Sequence, residues 1–183
     1  MRSINPANEK LIKEYHEHSL EEANKIIDLS YSAHLEWKKT SFSYRQKLLK
    51  NAAQVLKNRC EEFSEIMTLE MGKPITQSRG EIKKCAWVCE YYAENAEKFL
   101  ADEVVETDAQ KSYVQYAPLG PVLAIMPWNF PFWQVFRFAA PAIMAGNTGV
   151  LKHAENVSGC ALAIQEVFKD AGCPEGVFQT ILM

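Results

Sequence analysis

Apolar residues recur every three or four positions through most of the first hundred residues. Ala23, Ile26, Ile27, Ala33 and Trp37 share one face at helical spacing, and Ser19 with Glu22 three residues on forms a capping-box signature ahead of them. Ser43 with Gln46 repeats the signature before Leu48, Leu49, Ala52, Ala53, Val55 and Leu56, which predicts a second helix capped at Ser43. A third starts near Glu61 and stops at Gly72, with Pro74 just beyond. From Pro74 to Leu100 the stripe runs on through Ile75, Ile82, Ala86, Cys89, Ala93, Ala96 and Phe99, and Gly80 should weaken its first turns. Residues 1–102 therefore read as helical cover.

At Glu103 the period changes. Val104, Val105 and Thr107, the polar run 108–111, and then Tyr113, Val114, Gln115 and Tyr116 predict a two-stranded hairpin over 103–117. Pro118, Gly120 and Pro121 close it. A third rhythm follows: a strand at Val122–Met126, a loop at 127–131, a helix to about Ala145, a strand at Thr148–Lys152, a helix from about Val157 to Ala171, and a strand at Val177–Leu182. Strand, helix, strand, helix, strand is the pattern of a parallel sheet, and residues 118–183 have the look of the first half of a dinucleotide-binding unit. The expected class is α/β, with N-terminal helices packed on an incomplete parallel Rossmann-like βαβαβ sheet and a protruding β-hairpin. The chain stops at Met183, just past this last strand, with nothing to blunt the strand's edge, so it is expected to be cut short.

Composition narrows the function classes. The 183 residues are 48% hydrophobic and 23% charged, as expected of a folded globular chain. A net charge of −3, with no block of like charges, gives no reason to expect a nucleic-acid or membrane partner. The most apolar stretch, Phe130 to Gly149, is broken by Arg137, Pro141 and Asn147, and residues 1–6 lack the apolar run of a secretory signal. A cytoplasmic address and reduced thiols for the five cysteines follow by default.

The Gly-x-Gly-x-x-Gly phosphate loop is absent, because Gly146-Asn147-Thr148-Gly149 precedes a strand where the fingerprint should follow one. What stands at the carboxyl end of the first sheet strand is Pro127-Trp128-Asn129-Phe130-Pro131. Ligands bind at that end of open α/β sheets. An Asn held between two prolines can donate to a developing oxyanion, or can simply shape the turn. Arg137, the only charge between Phe130 and Gly149, is expected to pay desolvation unless an anion or acceptor meets it. Its alternatives are an Arg that snorkels or pairs with a Glu. Phe130, Trp133 and Gln134 fit a substrate tunnel or plain core.

Pro118-Leu119-Gly120-Pro121, Pro127–Pro131, Pro141-Ala142 with Ala145-Gly146-Asn147, Leu151-Lys152-His153-Ala154-Glu155 and Ala171–Phe178 stand in one order and spacing, with Glu70-Met71-Gly72-Lys73-Pro74 ahead of them. In these segments the chain resembles the NAD(P)-dependent aldehyde dehydrogenase superfamily along essentially its whole length. Within it the chain looks most like the succinate-semialdehyde dehydrogenase group, where His153 in place of proline is a known variant. The resemblance implies an N-terminal part of an enzyme oxidising a semialdehyde to its carboxylic acid. Asn129 would be the oxyanion-hole donor, Trp128, Asn129, Lys152 and Glu155 would contact the cofactor, and Arg137 and Phe130 would contact the substrate. Glu155 beside the ribose favours NAD, with NADP less expected. Full-length members are homo-oligomers, and the corresponding hairpin belongs to their oligomerisation region. Without the resemblance, Lys152 and Glu155 read as a weak surface pair.

The family nucleophile follows a Gly-Gln-x sequence, and none of Cys60, Cys85, Cys89, Cys160 or Cys173 has that context. Cys85 and Cys89 share one helical face as small core residues, and Cys173 follows a helix C-terminus, which disfavours a thiolate. No metal site is expected. The resemblance puts the catalytic cysteine and the general-base glutamate after Met183, so the chain alone is expected to be inactive. The rival is a non-enzymatic nucleotide-binding or subunit-pairing module. His16, His18 and His34 show no site pattern and are expected on the solvated surface.

Overall fold

The computed structural model describes all 183 residues and opens on two short antiparallel strands, β1 (Arg2–Ile4) and β2 (Leu11–Glu14). The helical reading of residues 1–102 missed them. Strands of three and four residues, rich in charge, carry too little alternation to register as a period of two. The helix α1 (Leu20–Trp37) begins with the predicted capping box, Ser19 and Glu22 each accepting the other's backbone N–H. The next helix, α2 (Phe42–Asn58), is capped by Ser41 and not by Ser43. Ser41 holds the extended backbone that a cap requires, while Ser43 already lies inside the first turn. Then follow α3 (Cys60–Met71), ended by a left-handed Gly72, and α4 (Ile75–Phe99), which runs unbroken through Gly80.

Beyond the exposed ribbon of β3 (Glu103–Val104) and β4 (Tyr113–Val114) comes the predicted alternation: β5 (Pro121–Met126), α5 (Trp133–Met144), β6 (Thr148–His153), α6 (Ser158–Asp170) and β7 (Phe178–Ile181). The three strands are parallel in the order β5-β6-β7. The expected α/β class is observed, with a small parallel sheet and two antiparallel hairpins. A short 3-10 turn at Glu155–Val157 links β6 to α6.

One face of the sheet carries α5 and α6, and α2, α3 and α4 pack on those two helices. The core there is continuous. Phe63, Phe132, Phe136, Phe168 and Phe178 form a file with neighbouring ring centroids 4.5 to 6.4 Å apart, running from α3 through α5 and α6 to β7. The other face is covered by α1, whose Ala23 packs on Val150 and Ile181. In register with these, Leu123 and Ile125 of β5 stay 59% and 72% exposed. Buried Ser30 and Thr148 join α1 to the start of β6 through their hydroxyls at 3.0 Å, and the Trp37 indole donates to the Ile143 carbonyl.

The cover helices also meet the ends of the sheet helices with charge. Neither α5 nor α6 has a side-chain cap of its own. Glu70 of α3 accepts the Gly159 and Cys160 N–H groups at 2.8 Å each, at the start of α6. Glu81 of α4 does the same for α5, accepting Phe132 and Trp133 N–H at 2.9 Å. At the other end of α5 the buried Arg45 guanidinium lies against Gly146, and Asn51 of α2 donates to Ala171 just past α6. Anions at N-termini and donors or cations at C-termini suit both macrodipoles. His34 is buried, contrary to the surface expectation, because α1 turns that face toward Gly146. His18 is half-buried and accepts the Leu182 N–H, while His16 is exposed against Glu22.

Candidate functional site

The turn 127–132 leaves β5 at its carboxyl end and presents Trp128, Asn129 and Phe130 outward. Asn129 faces solvent, in contrast to Asn147, whose carbonyl oxygen accepts Leu119 and Gly120 N–H and so serves the fold. The residues flanking Asn129 are held tightly. His153 at the end of β6 donates from Nε2 to the Pro131 carbonyl at 2.9 Å, and its Nδ1 accepts the Ala154 N–H. Burial lowers the His153 pKa below its usual value, so the ring is neutral. On the other flank, Lys73 lies over the Phe130 ring, 3.8 Å from its centroid, and ion-pairs with Glu81.

Arg137 lies on α5 and reaches a groove of about 480 Å³ lined also by Trp87, Tyr91, Met126, Trp133 and Gln134. The expectation that it is a costly buried charge does not hold, since Arg137 is exposed and has no carboxylate partner. The apolar stretch around it belongs to a helix with one open face, and Val135, Phe136, Ala139 and Ile143, turned away from Arg137, do most of the burying. Phe130 lines a smaller cleft of about 220 Å³ with Lys73, Gln77 and Lys84, and Trp133 is shared between the two. Trp133 and Gln134 thus lie at the surface of grooves, beside core positions.

Lys152 and Glu155 are placed separately, at the carboxyl end of β6 on the sheet's half-covered face. Lys152 is half-buried between Ile125 and Ile181 in register, and Glu155 is exposed at the start of the 3-10 turn. They form no ion pair with each other, so the weak surface pair is not observed. An unpaired ammonium, a carboxylate and the half-exposed Trp128 at the strand ends suit the ribose and phosphates of a dinucleotide.

Burial pushes the Cys85, Cys89 and Cys160 thiols up, and that of Cys173 to about 12. For Cys173 the cause is desolvation. Glu81 carries no expectation from the sequence, and Glu70 enters only within the Glu70–Pro74 segment of the family resemblance. A signal existed for Glu81: with Ser78, Ile82 and Cys85 it occupies the buried face of α4, where a carboxylate needs partners.

The model of the aldehyde dehydrogenase family matches residues 1–183. The chain belongs to the aldehyde dehydrogenase family. It is 54% identical over 181 residues to a probable succinate-semialdehyde dehydrogenase [NADP(+)] of Synechocystis sp., covering 99% of this chain and 40% of the relative. It is 43% identical over 176 residues to a succinate semialdehyde dehydrogenase [NAD(P)+] of Escherichia coli K12, covering 96% and 38%. Among solved structures, the succinic semialdehyde dehydrogenase of Streptococcus pyogenes in complex with NADP+ superimposes with a TM-score of 0.95 at 30% identity, over 100% of this chain and 40% of that one. The chain thus spans about 40% of the length of these relatives. Two of the three carry NADP+ in their names, so the expected preference for NAD finds no support among them.

Proposed function

We propose that the chain forms the N-terminal part of an NAD(P)-dependent aldehyde dehydrogenase whose substrate is a semialdehyde, with succinate semialdehyde favoured by the names of its relatives. Arg137 carries the substrate reading. It is an unpaired guanidinium on the helix that follows the Asn129 turn, in a groove walled mainly by aromatic rings. Such a group takes a carboxylate bidentately while the rings exclude water from the chain between carboxylate and aldehyde. At the reacting end, the Asn129 amide donates to the aldehyde oxygen as it gains negative charge, and Phe130 flanks it.

Lys152, Glu155, Trp128 and Asn129 form the cofactor side of the site in this reading, and the cofactor supplies the hydride acceptor. An exposed carboxylate at Glu155 is screened by water, whereas the unpaired Lys152 can meet a phosphate, so the residues accommodate NADP at least as well as NAD. In this reading the nucleophilic thiolate comes from outside residues 1–183, since none of the five cysteines follows the Gly-Gln-x sequence of the family nucleophile, and residues 1–183 alone are expected to be inactive.

The test is aldehyde-dependent NAD(P)H formation by the catalytically competent protein that contains these residues. Arg137→Met should raise KM for succinate semialdehyde by about tenfold to a hundredfold and leave an uncharged aldehyde within about twofold. Equal losses on both substrates would refute the carboxylate role. A second role rests on the β3–β4 ribbon, where Val104 is 77% exposed and Tyr113 and Val114 are close to half exposed. Apolar side chains so presented fit pairing with a second subunit. Chemical cross-linking through the ribbon checks it, and monomers under all conditions would remove it.

A further inference from the structure

We propose that Glu81 is the positioning residue that fixes the Asn129 amide for its oxyanion. Glu81 is 5% exposed on α4, and one of its oxygens accepts both the Phe132 and the Trp133 N–H at 2.9 Å. Its second oxygen accepts from the Lys73 ammonium, which is itself buried and lies over the Phe130 ring. Three of the four residues that follow Asn129 are thereby tied to one carboxylate: Phe130 through Lys73, and Phe132 and Trp133 directly.

Stability alone is a weak reason for this arrangement. Burying an ion pair removes two charges from water, and well-packed apolar residues of the same volume serve stability at least as well. What a carboxylate adds is direction. Two N–H groups converging on one oxygen fix both where α5 begins and how it is rotated, and the Asn129 backbone is three residues upstream of that point. An oxyanion donor is effective only when it is aimed before the charge develops, and a displacement of about 1 Å can cost about a hundredfold in rate. His153 holds the Pro131 carbonyl between these anchors, so the turn is clamped from α4 and from β6.

The inference rests on the aldehyde dehydrogenase reading, and a double-mutant cycle with Asn129 separates the two. In the catalytically competent protein, Glu81→Gln keeps the shape and loses the charge that holds Lys73. It should lower kcat for the aldehyde by about tenfold to a hundredfold, with KM and cofactor affinity within about twofold. Glu81→Asp should recover part of the loss. In an Asn129→Ala background, Glu81→Gln should cost no more than about twofold further, because the donor it aims is gone. Lys73→Met, which leaves both N–H bonds to Glu81 in place, should show the same pattern with a smaller loss.

Losses that multiply in the Asn129→Ala background would assign Glu81 to general stability and overturn the proposal. So would an unchanged kcat, or Glu81 and Lys73 variants that fail to fold. An unmutated protein that oxidises no aldehyde would remove the parent reading, and this one with it.

Discussion

His153 and Pro131 are joined by a hydrogen bond of 2.9 Å that ties the end of β6 to the turn carrying Asn129. The ring donates from Nε2 and accepts the Ala154 N–H at Nδ1, so a second ring proton would face a donor. Burial lowers the folded-state pKa of His153, and that of buried His34 as well. Between the folded value and the unfolded value near 6.5, the unfolded chain binds more protons, so stability rises with pH through that window. It is fully present above about pH 6.5 and is lost as the pH falls. Thermal melting should therefore weaken from pH 7 to pH 5. His153→Gln, which keeps a donor toward Pro131 but does not titrate, should flatten the slope. A slope unchanged in both this variant and His34→Gln would contradict the assignment.

Glu70 and Glu21 make opposite demands on their surroundings. Glu70 is buried and satisfies two N–H groups at the start of α6, whereas Glu21 pairs with Lys25 in water. Removing a buried acceptor leaves its donors unsatisfied, at about 1–3 kcal/mol each, while an exposed pair is worth about 0–1 kcal/mol. Glu70→Ala should lower the unfolding free energy by about 3 kcal/mol, and Glu21→Ala by less than about 0.5 kcal/mol. Urea denaturation of the two variants side by side checks the ordering.

Gly146 and Gly80 should respond oppositely to alanine. Gly146 has φ +90°, and a Cβ there would sit 2.4 Å from the Arg45 guanidinium. The left-handed backbone costs a side chain about 1–2 kcal/mol, and moving Arg45 breaks the charge placed at the end of α5. At Gly80, inside α4, a Cβ would meet nothing within 4 Å. There alanine should stabilise by about 1 kcal/mol through helix propensity alone. Denaturation midpoints moving in the same direction for both would show that one of these two accounts is wrong.

The contrast between local and long-range determinants explains what the sequence made legible. The stripes of α2 to α4, the capping box at Ser19 and the βαβαβ alternation depend on residues within a turn or two of one another, and all are observed. The Asn129 turn and the helix carrying Arg137 followed from the Pro127–Pro131 segment and the apolar run just after it. Glu70, Glu81 and Arg45 act on helix ends 51 to 101 residues away in sequence, a distance over which no spacing rule operates. Burial of a charge on an apolar face could have marked Glu81. Glu70 carries the same mark, falling seven residues after Phe63 and three after Met67 on the buried face of α3, unlike the exposed Glu61 and Glu65. The burial inferred for Arg137 erred for the same reason: an apolar stretch shows that a helix is partly covered, but which face is covered depends on partners elsewhere in the chain.

Lys152 and Glu155 supply the last prediction, because their charges are opposite and unpaired at one strand end. A 2′-phosphate near them is attracted to the ammonium and repelled by the carboxylate, and the exposed carboxylate is the more strongly screened of the two. Lys152→Met should raise the Kd of NADP more than that of NAD, whereas Glu155→Gln should tighten NADP by a few-fold and loosen NAD. Isothermal titration at low and moderate salt checks both signs. The NADP effects should shrink as ionic strength rises, since a Debye length of about 8 Å at physiological salt weakens exposed charges first. If Glu155→Gln instead weakens both cofactors equally, the carboxylate holds the ribose and takes no part in choosing between them.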